Sequence, residues 1–146
     1  DYAGMMSVLK GEGIQLKDSG VEVREYIYDM PLVMAAADLV LCRAGASTIA
    51  ELTAIAKPAI LVPSPNVVAD HQTKNAKVLS GRGAAVLLAE SECDGREDGL
   101  FNVISDLMNH PEKRQDMSRA LREMAVPDAA EQIYTVLTGL LQQKGQ

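Results

Sequence analysis

Short apolar runs alternate along the chain with stretches that mix alanine, leucine and charged residues. Three runs, residues 39–42, 59–62 and 84–88, are nearly continuous Ala, Val, Ile and Leu, which is typical of strands buried on both faces of a parallel sheet. An earlier run, residues 21–27, is also predicted to be a strand. Because helix-like stretches separate the runs, the pattern predicts an α/β fold with a Rossmann-like, doubly wound parallel sheet. The predicted helices are residues 31–37, 48–56 and 70–79.

Beyond the last run the pattern is helical only. Residues 94–146 are predicted to form helices that break near Pro111 and Pro127, because proline does not continue a helix. Met117, Leu121 and Met124 recur at helical spacing and indicate a packing stripe. At the other end, Met5, Val8 and Leu9 suggest a further helix before residue 21.

Composition narrows the classes of protein. The 146 residues suit one domain, and 47% hydrophobic with 23% charged residues excludes a disordered chain. A net charge of −6 and only 3% aromatic residues argue against nucleic-acid binding. Two cysteines are too few for a disulfide scaffold or a cysteine-rich metal site, and no apolar run approaches the ~18 residues of a membrane span. Because the chain opens at Asp1 without Met or a strand, we expect it to be a piece of a longer protein.

Ligands of open α/β sheets bind beyond the carboxyl ends of the strands. The strongest signal there is the small-residue loop Gly45-Ala46-Ser47-Thr48, which runs from a buried strand into a helix. Free N–H groups at a helix start favour a phosphate, so this loop is a candidate diphosphate cradle. The alternative is a capping box, in which Thr48 and Glu51 satisfy each other's backbone donors. The pattern alone leaves both interpretations open.

Other polar residues near these strand ends can be interpreted either as ligand contacts or as structural residues. Glu51 shares a helix face with Ser47 and suits the two hydroxyls of a ribose. Gln72 and Asn75 share a helix face, and their amide groups suit sugar hydroxyls. In the alternative interpretation, Asp70 is the N-cap of this helix and the two amides form part of a solvated face.

The remaining candidates are also ambiguous. Ile27 and Met30 make an apolar platform for a base, or core packing, and Arg43 either neutralises a phosphate or is an exposed loop arginine. Glu90 belongs to an acidic group that indicates solvated surface, the other members being Glu92, Asp94, Glu97 and Asp98. No metal site is predicted, since His71 has no second histidine or cysteine at ligand spacing.

Taken together, these motifs resemble the MurG family, bacterial transferases that add N-acetylglucosamine to the undecaprenyl-linked muramoyl-pentapeptide precursor of peptidoglycan. The resemblance covers nearly the whole chain and rests on an Arg-x-Gly-Ala-x-Thr-x-x-Glu block followed by Asp-His-Gln. The matching segments are VREYIYDM (23–30), AADLVLCRAGASTIAE (36–51), KPAILVP (57–63), DHQTKNA (70–76), GAA (83–85) and MAVPDAA (124–130).

The resemblance implies the donor-binding C-terminal half of a two-domain GT-B glycosyltransferase that uses UDP-N-acetylglucosamine and no cofactor. It implies that Ile27 and Met30 border the uracil and that Glu51 contacts the ribose. The implied diphosphate contacts are Gly45, Ala46, Ser47 and Thr48, and the implied contact of the N-acetylglucosamine is Gln72, with Asn75 near it.

The family's Gly-rich donor loop, acceptor domain and general base match nothing in this chain. The resemblance therefore implies that no catalytic base is present, that the lipid-linked acceptor binds elsewhere, and that this segment alone does not turn over. It implies a cytoplasmic protein whose full-length form is peripheral on the inner face of the membrane, and an exposed strand edge that promotes self-association. The alternatives are another GT-B transferase such as a diacylglycerol galactosyltransferase, the donor subunit of a two-chain transferase, and a non-catalytic α/β interaction domain.

Overall fold

A computed structural model describes residues 2–16, 19–66, 70–93 and 99–143 of the chain. The chain divides into two compact units, residues 1–33 and residues 34–146. The strands are β1 (Val40–Cys42), β2 (Ala59–Leu61) and β3 (Val86–Leu87). The helices are α1 (Tyr2–Gly11), α2 (Met30–Ala36), α3 (Ala46–Ala54), α4 (His71–Ser80), α5 (Leu100–Asn109), α6 (Pro111–Met124) and α7 (Ala129–Gln143).

The described sheet is parallel, with β2 between β1 and β3. Val40 lies opposite Ala59 and Leu61 lies opposite Leu87, so the three carboxyl ends meet at one edge. Each step between strands is a crossover through a helix, α3 and then α4. This arrangement confirms the predicted Rossmann-like sheet and its three central strands.

The two faces of β2 pack against different clusters. Ile60 belongs to a cluster with Leu107 and Met117, whereas the next residue, Leu61, belongs to a cluster with Leu52 and Leu79. Successive strand residues point to opposite faces, so both faces of the sheet are covered. Full burial of a leucine or isoleucine side chain contributes about 1.5–3 kcal/mol, which makes the apolar run of β2 the centre of the fold.

The helical C-terminal part follows the predicted breaks. Helix α5 ends at Asn109, and α6 begins at Pro111, whose missing N–H costs nothing at the first helical position. Helix α6 buries Met117 and Leu121 and packs Met124 against the core, which confirms the predicted stripe. Residues 94–98 and 144–146, which were predicted helical, lie outside the described residues, as do residues 67–69 and the acidic residues Asp94, Glu97 and Asp98. No helix in the described part of the chain is long and apolar enough to cross a membrane.

One predicted strand is absent. Residues 21–27 are described as irregular chain, in which Val21 is 54% and Tyr26 is 68% exposed. A strand persists only when a neighbour satisfies its backbone groups and its apolar face is covered. Within the described residues, no neighbouring strand pairs with residues 21–27 and their apolar face is not covered. The strand prediction was therefore wrong.

The end of α4 depends on a glycine. Gly83 has a φ of +67°, and the Ala84 N–H reaches back to the Leu79 carbonyl at 2.9 Å, while the Gly83 N–H meets the Ser80 carbonyl at 3.0 Å. These two bonds form a Schellman motif, which leads the chain directly into β3.

We expect Gly83→Ala to lower the free energy of unfolding by about 1–2 kcal/mol, because a side chain disfavours the left-handed backbone. A Cβ at Gly83 meets nothing within 4 Å, so the cost is purely conformational. The control is Gly139→Ala inside α7, where the added Cβ also has open space and a gain of about 0.5–1 kcal/mol is expected. Urea denaturation measures both changes, and the same sign for the two would contradict this account.

Candidate functional site

The side chain of Arg43 joins the segments that follow the three strands. Arg43 comes directly after β1, and its Nη1 donates to the carbonyls of Val62 and Pro63, which follow β2, at 3.2 and 3.3 Å. The same nitrogen donates to Oε2 of Glu90 at 2.8 Å, three residues after β3. The carboxyl edge of the sheet is thus a connected surface, at the place where ligands of open α/β sheets bind.

Helix α3 starts at this edge without a side-chain cap. Gly45 is its N-cap residue with extended backbone (φ −67°, ψ 150°), and no side-chain cap bond forms there among the described residues. The helix therefore begins at Ala46, and Thr48 is its third residue rather than its cap. The capping-box interpretation of Thr48 and Glu51 was wrong, because the helix starts two residues earlier than predicted and Thr48 lies inside it.

The uncapped start leaves the first backbone N–H groups of α3 directed out of the helix. The first turn of a helix has no internal partner for these donors, and the helix dipole adds positive potential there. The side chains over this turn are small, so an anion can approach the backbone closely. An oxyanion such as a phosphate is the ligand that this arrangement favours.

Ser47 and Glu51 lie one helical turn apart on α3, both exposed. This confirms that they share a face of the helix. Glu51 makes no side-chain hydrogen bond or ion pair with another residue that the structure describes. Its two carboxylate oxygens are therefore available to hydroxyl donors beside the helix start.

Two amide side chains of α4 hold the loops of this edge. Asn75 donates from Nδ2 to the carbonyl of Ala44 at 3.2 Å, and Gln72 accepts at Oε1 from the Ser64 N–H at 2.9 Å. Both residues are partly buried, so the solvated-face interpretation of this helix was wrong for them. Asp70 occupies the N-cap position of α4, but its side chain makes no cap bond.

A cleft of about 560 Å³ opens next to the Arg43–Glu90 pair. Its walls include Pro63 and Pro65 after β2, Thr73 of α4, and Ala89 and Glu90 after β3. This volume is within the range of small-molecule sites, which is roughly 300–1,000 Å³.

The structure separates the predicted residues into two groups. Ile27 and Met30 belong to the first unit, where Ile27 is half-buried and Met30 is exposed at the start of α2. The other predicted site residues, from Arg43 to Asn75, belong to the second unit and lie on or beside the α3 start and the α4 side chains described above.

Glu90 is the residue of this edge that the sequence analysis missed. It was assigned to solvated surface, and it is half exposed, but its carboxylate is paired with Arg43. The available signal was positional: Glu90 follows a predicted parallel strand closely, as Arg43 does, so both belong to the same edge.

Two pKa shifts follow from this geometry. The hydrogen bond from Arg43 holds the pKa of the Glu90 carboxyl below its usual range. Burial raises the pKa of the Cys42 thiol, which keeps it protonated. Cys42 is partly buried and packs against the core cluster as a small apolar side chain.

The fold and the edge define a class, the Rossmann-like domains with an uncapped helix start at the carboxyl ends of parallel strands. Comparison with known proteins makes the class specific. Residues 5–133 match the glycosyltransferase family 28 C-terminal domain. The chain belongs to this family.

Two curated relatives, from Acetivibrio thermocellus and Salinibacter ruber, carry the name UDP-N-acetylglucosamine–N-acetylmuramyl-(pentapeptide) pyrophosphoryl-undecaprenol N-acetylglucosamine transferase. The protein from Acetivibrio thermocellus is 39% identical over 143 residues, which are 98% of this chain and 37% of the relative. The protein from Salinibacter ruber is 52% identical over 113 residues, 77% of this chain and 30% of the relative. The chain thus spans about a third of the length of these relatives.

A solved structure agrees with these relatives. The crystal structure of MurG from Acinetobacter baumannii superposes with a TM-score of 0.74 at 28% identity, covering 90% of this chain and 40% of that protein. The resemblance of the motifs to the MurG family is confirmed.

The lowered pKa of Glu90 has a definite sign for stability. A carboxyl whose folded pKa lies below its unfolded value of about 4.3 stabilises the fold above that pH and loses this contribution as the pH falls through the folded value. We expect the Arg43→Gln variant to show a higher Glu90 pKa than the wild type in a carbon-detected NMR titration. Glu22, whose pKa is lowered by Arg24, is the internal control and should not change. An unchanged Glu90 pKa would mean that the pair does not form in solution.

Proposed function

We propose that this chain is the donor-binding domain of an inverting glycosyltransferase. The enzyme transfers N-acetylglucosamine from UDP-N-acetylglucosamine to a lipid-linked muramoyl-pentapeptide, a step of peptidoglycan synthesis. The observation that carries the proposal is the uncapped start of α3 at the carboxyl edge of the sheet, in a chain of the glycosyltransferase family 28 C-terminal domain. The names of the relatives supply the donor and the acceptor.

The diphosphate lies on the N–H groups of the loop from Gly45 to Thr48 in this proposal. The chain has a net charge of −6, so a dianionic ligand needs a local positive field. The helix start supplies it through the dipole and the first backbone donors, and Arg43, paired with Glu90, lies at the same edge.

The rest of the donor is assigned to side chains of both units. Glu51 accepts the ribose hydroxyls, one turn along α3. Gln72 and Asn75 contact the N-acetylglucosamine, and their bonds to Ser64 and Ala44 fix the orientation of the two amide groups. Ile27 and Met30 border the uracil.

The chemistry that this half supports is stabilisation of the leaving group. In an inverting transfer the acceptor hydroxyl attacks the anomeric carbon as the bond to the β-phosphate oxygen breaks, and negative charge develops on UDP. Backbone donors already oriented at the α3 start stabilise that charge more in the transition state than in the ground state. The base that removes the acceptor proton is assigned to the acceptor domain of the whole enzyme.

The location follows from the acceptor. Because undecaprenol is a membrane lipid, we place the whole enzyme at the cytoplasmic face of the membrane as a peripheral protein. Self-association of this chain through the exposed side of β1, where Leu41 is 47% exposed, stays a prediction.

The first test is Glu51→Ala. We expect it to weaken UDP and UDP-N-acetylglucosamine binding by about tenfold or more in isothermal titration calorimetry, because hydrogen bonds to a charged group contribute roughly 1.5–3 kcal/mol. The unfolding free energy should not fall, because Glu51 caps nothing. Glu123→Ala, an exposed glutamate of α6, is the matched control and should bind normally. No binding of either nucleotide by the wild-type chain would refute the proposed function.

The second test removes one backbone donor. Ala46 is the first residue of α3, where proline is well tolerated, and Gly45 already has the extended backbone that a residue before proline needs. We expect Ala46→Pro to weaken UDP binding by roughly tenfold without lowering stability, because the lost N–H is a charge-assisted donor to the diphosphate. Uridine, which has no phosphate, is the control ligand. Equal UDP affinity in variant and wild type would exclude a contact at the Ala46 N–H.

A further inference from the structure

The Arg43–Glu90 pair sits where the three strand ends meet. One guanidinium nitrogen reaches the Glu90 carboxylate at 2.8 Å and two main-chain carbonyls after β2 at 3.2 and 3.3 Å. Arg43 itself immediately precedes Ala44 and Gly45, the loop that leads into α3. The pair therefore connects the α3 loop with the turn after β3, across the end of β2.

Stability does not explain this pair. The two side chains are 50% and 49% exposed, and exposed ion pairs contribute little to the free energy of folding. What the pair does constrain is geometry, because an arginine with three acceptors on two other segments has few alternative positions.

The same loop is held from its other side by Asn75, which donates to the Ala44 carbonyl at 3.2 Å. Two neighbouring residues, Arg43 and Ala44, are thus fixed by contacts from different elements. The first N–H groups of α3 follow directly, so their position depends on both contacts. Binding sites need such supporting contacts to hold the groups that touch the ligand.

We propose that the Arg43–Glu90 ion pair is a clamp that positions the α3 loop for the nucleotide diphosphate, and that Glu90 is a positioning residue of the donor site. The inference rests on the proposed function of this edge. It differs from a direct role of Arg43, in which the guanidinium is a phosphate ligand and Glu90 only competes for it.

The two roles predict opposite signs for Glu90→Gln. If Arg43 were simply a phosphate ligand, removal of the carboxylate would free the guanidinium and delete a negative charge near the diphosphate, so binding would stay equal or tighten. If the pair is a clamp, the same change releases the loop and weakens binding.

The experiment is a double-mutant cycle read by calorimetry with UDP. We expect Arg43→Gln and Glu90→Gln each to weaken binding by about three- to tenfold, the size expected of residues that modulate a site without touching the ligand. The double variant should bind UDP with the same affinity as the single variant that shows the larger loss, because the two changes remove one interaction. Asp116→Asn, which breaks the exposed Asp116–Arg119 pair of α6, is the matched control and should bind UDP normally.

Two further results bear on the clamp. The urea denaturation midpoints of Arg43→Gln and Glu90→Gln should match that of Asp116→Asn. Equal midpoints show that weaker UDP binding comes from a displaced loop and not from loss of folding. UDP binding by Glu90→Gln that equals or exceeds the wild-type affinity would overturn the clamp, and so would additive losses in the cycle.

A second measurement needs no nucleotide. Backbone ¹⁵N order parameters of residues 44–48 should be lower in Glu90→Gln and in Arg43→Gln than in the wild type, and unchanged in Asp116→Asn. Unchanged order parameters in the first two variants would overturn the clamp. If the wild-type chain bound no UDP, the proposed function would fail, whereas the order parameters would still decide whether the pair orders this loop.

Discussion

Burial of β2 on both faces is the constraint on which the rest of the second unit depends. Ile60 and Leu61 are both fully buried and face different clusters, so helices must cover both sides of the sheet. A central strand paired in parallel on both sides requires a crossover helix at each step, and α3 and α4 fill that role. The carboxyl ends of the strands, and the starts of α3 and α4, consequently meet at one edge.

This edge concentrates favourable potential for an anion in a chain that is acidic overall. The uncapped start of α3 contributes backbone donors, and Arg43 contributes a cation whose charge is shared with Glu90. Gln72 and Asn75 of α4 hold the neighbouring loops by hydrogen bonds to main-chain groups. The proposed binding groups and the side chains that hold their loops thus come from segments that are distant in sequence.

The residue pattern predicted the secondary structure of the buried segments better than that of the exposed segments. The three continuous apolar runs were predicted well, because burial on both faces leaves an unmistakable composition. Residues 21–27 mix apolar and charged residues and are not a strand in the described chain, since pairing depends on a neighbour rather than on the run itself. The capping box failed for a related reason: its spacing is correct, but the helix begins at Ala46, and spacing alone does not locate a helix start.

By itself the sequence determined the class of fold and the order of the strands and helices from β1 to β3, and it located the loop proposed to hold an anion, since all three depend on local composition and spacing. Through the resemblance of its motifs it also pointed to the family. Tertiary structure alone decided that Glu90 pairs with Arg43, 47 residues away, and that Asn75 supports the loop before α3. Such contacts depend on which strand ends lie side by side, and no local pattern of residues encodes which distant residues come together.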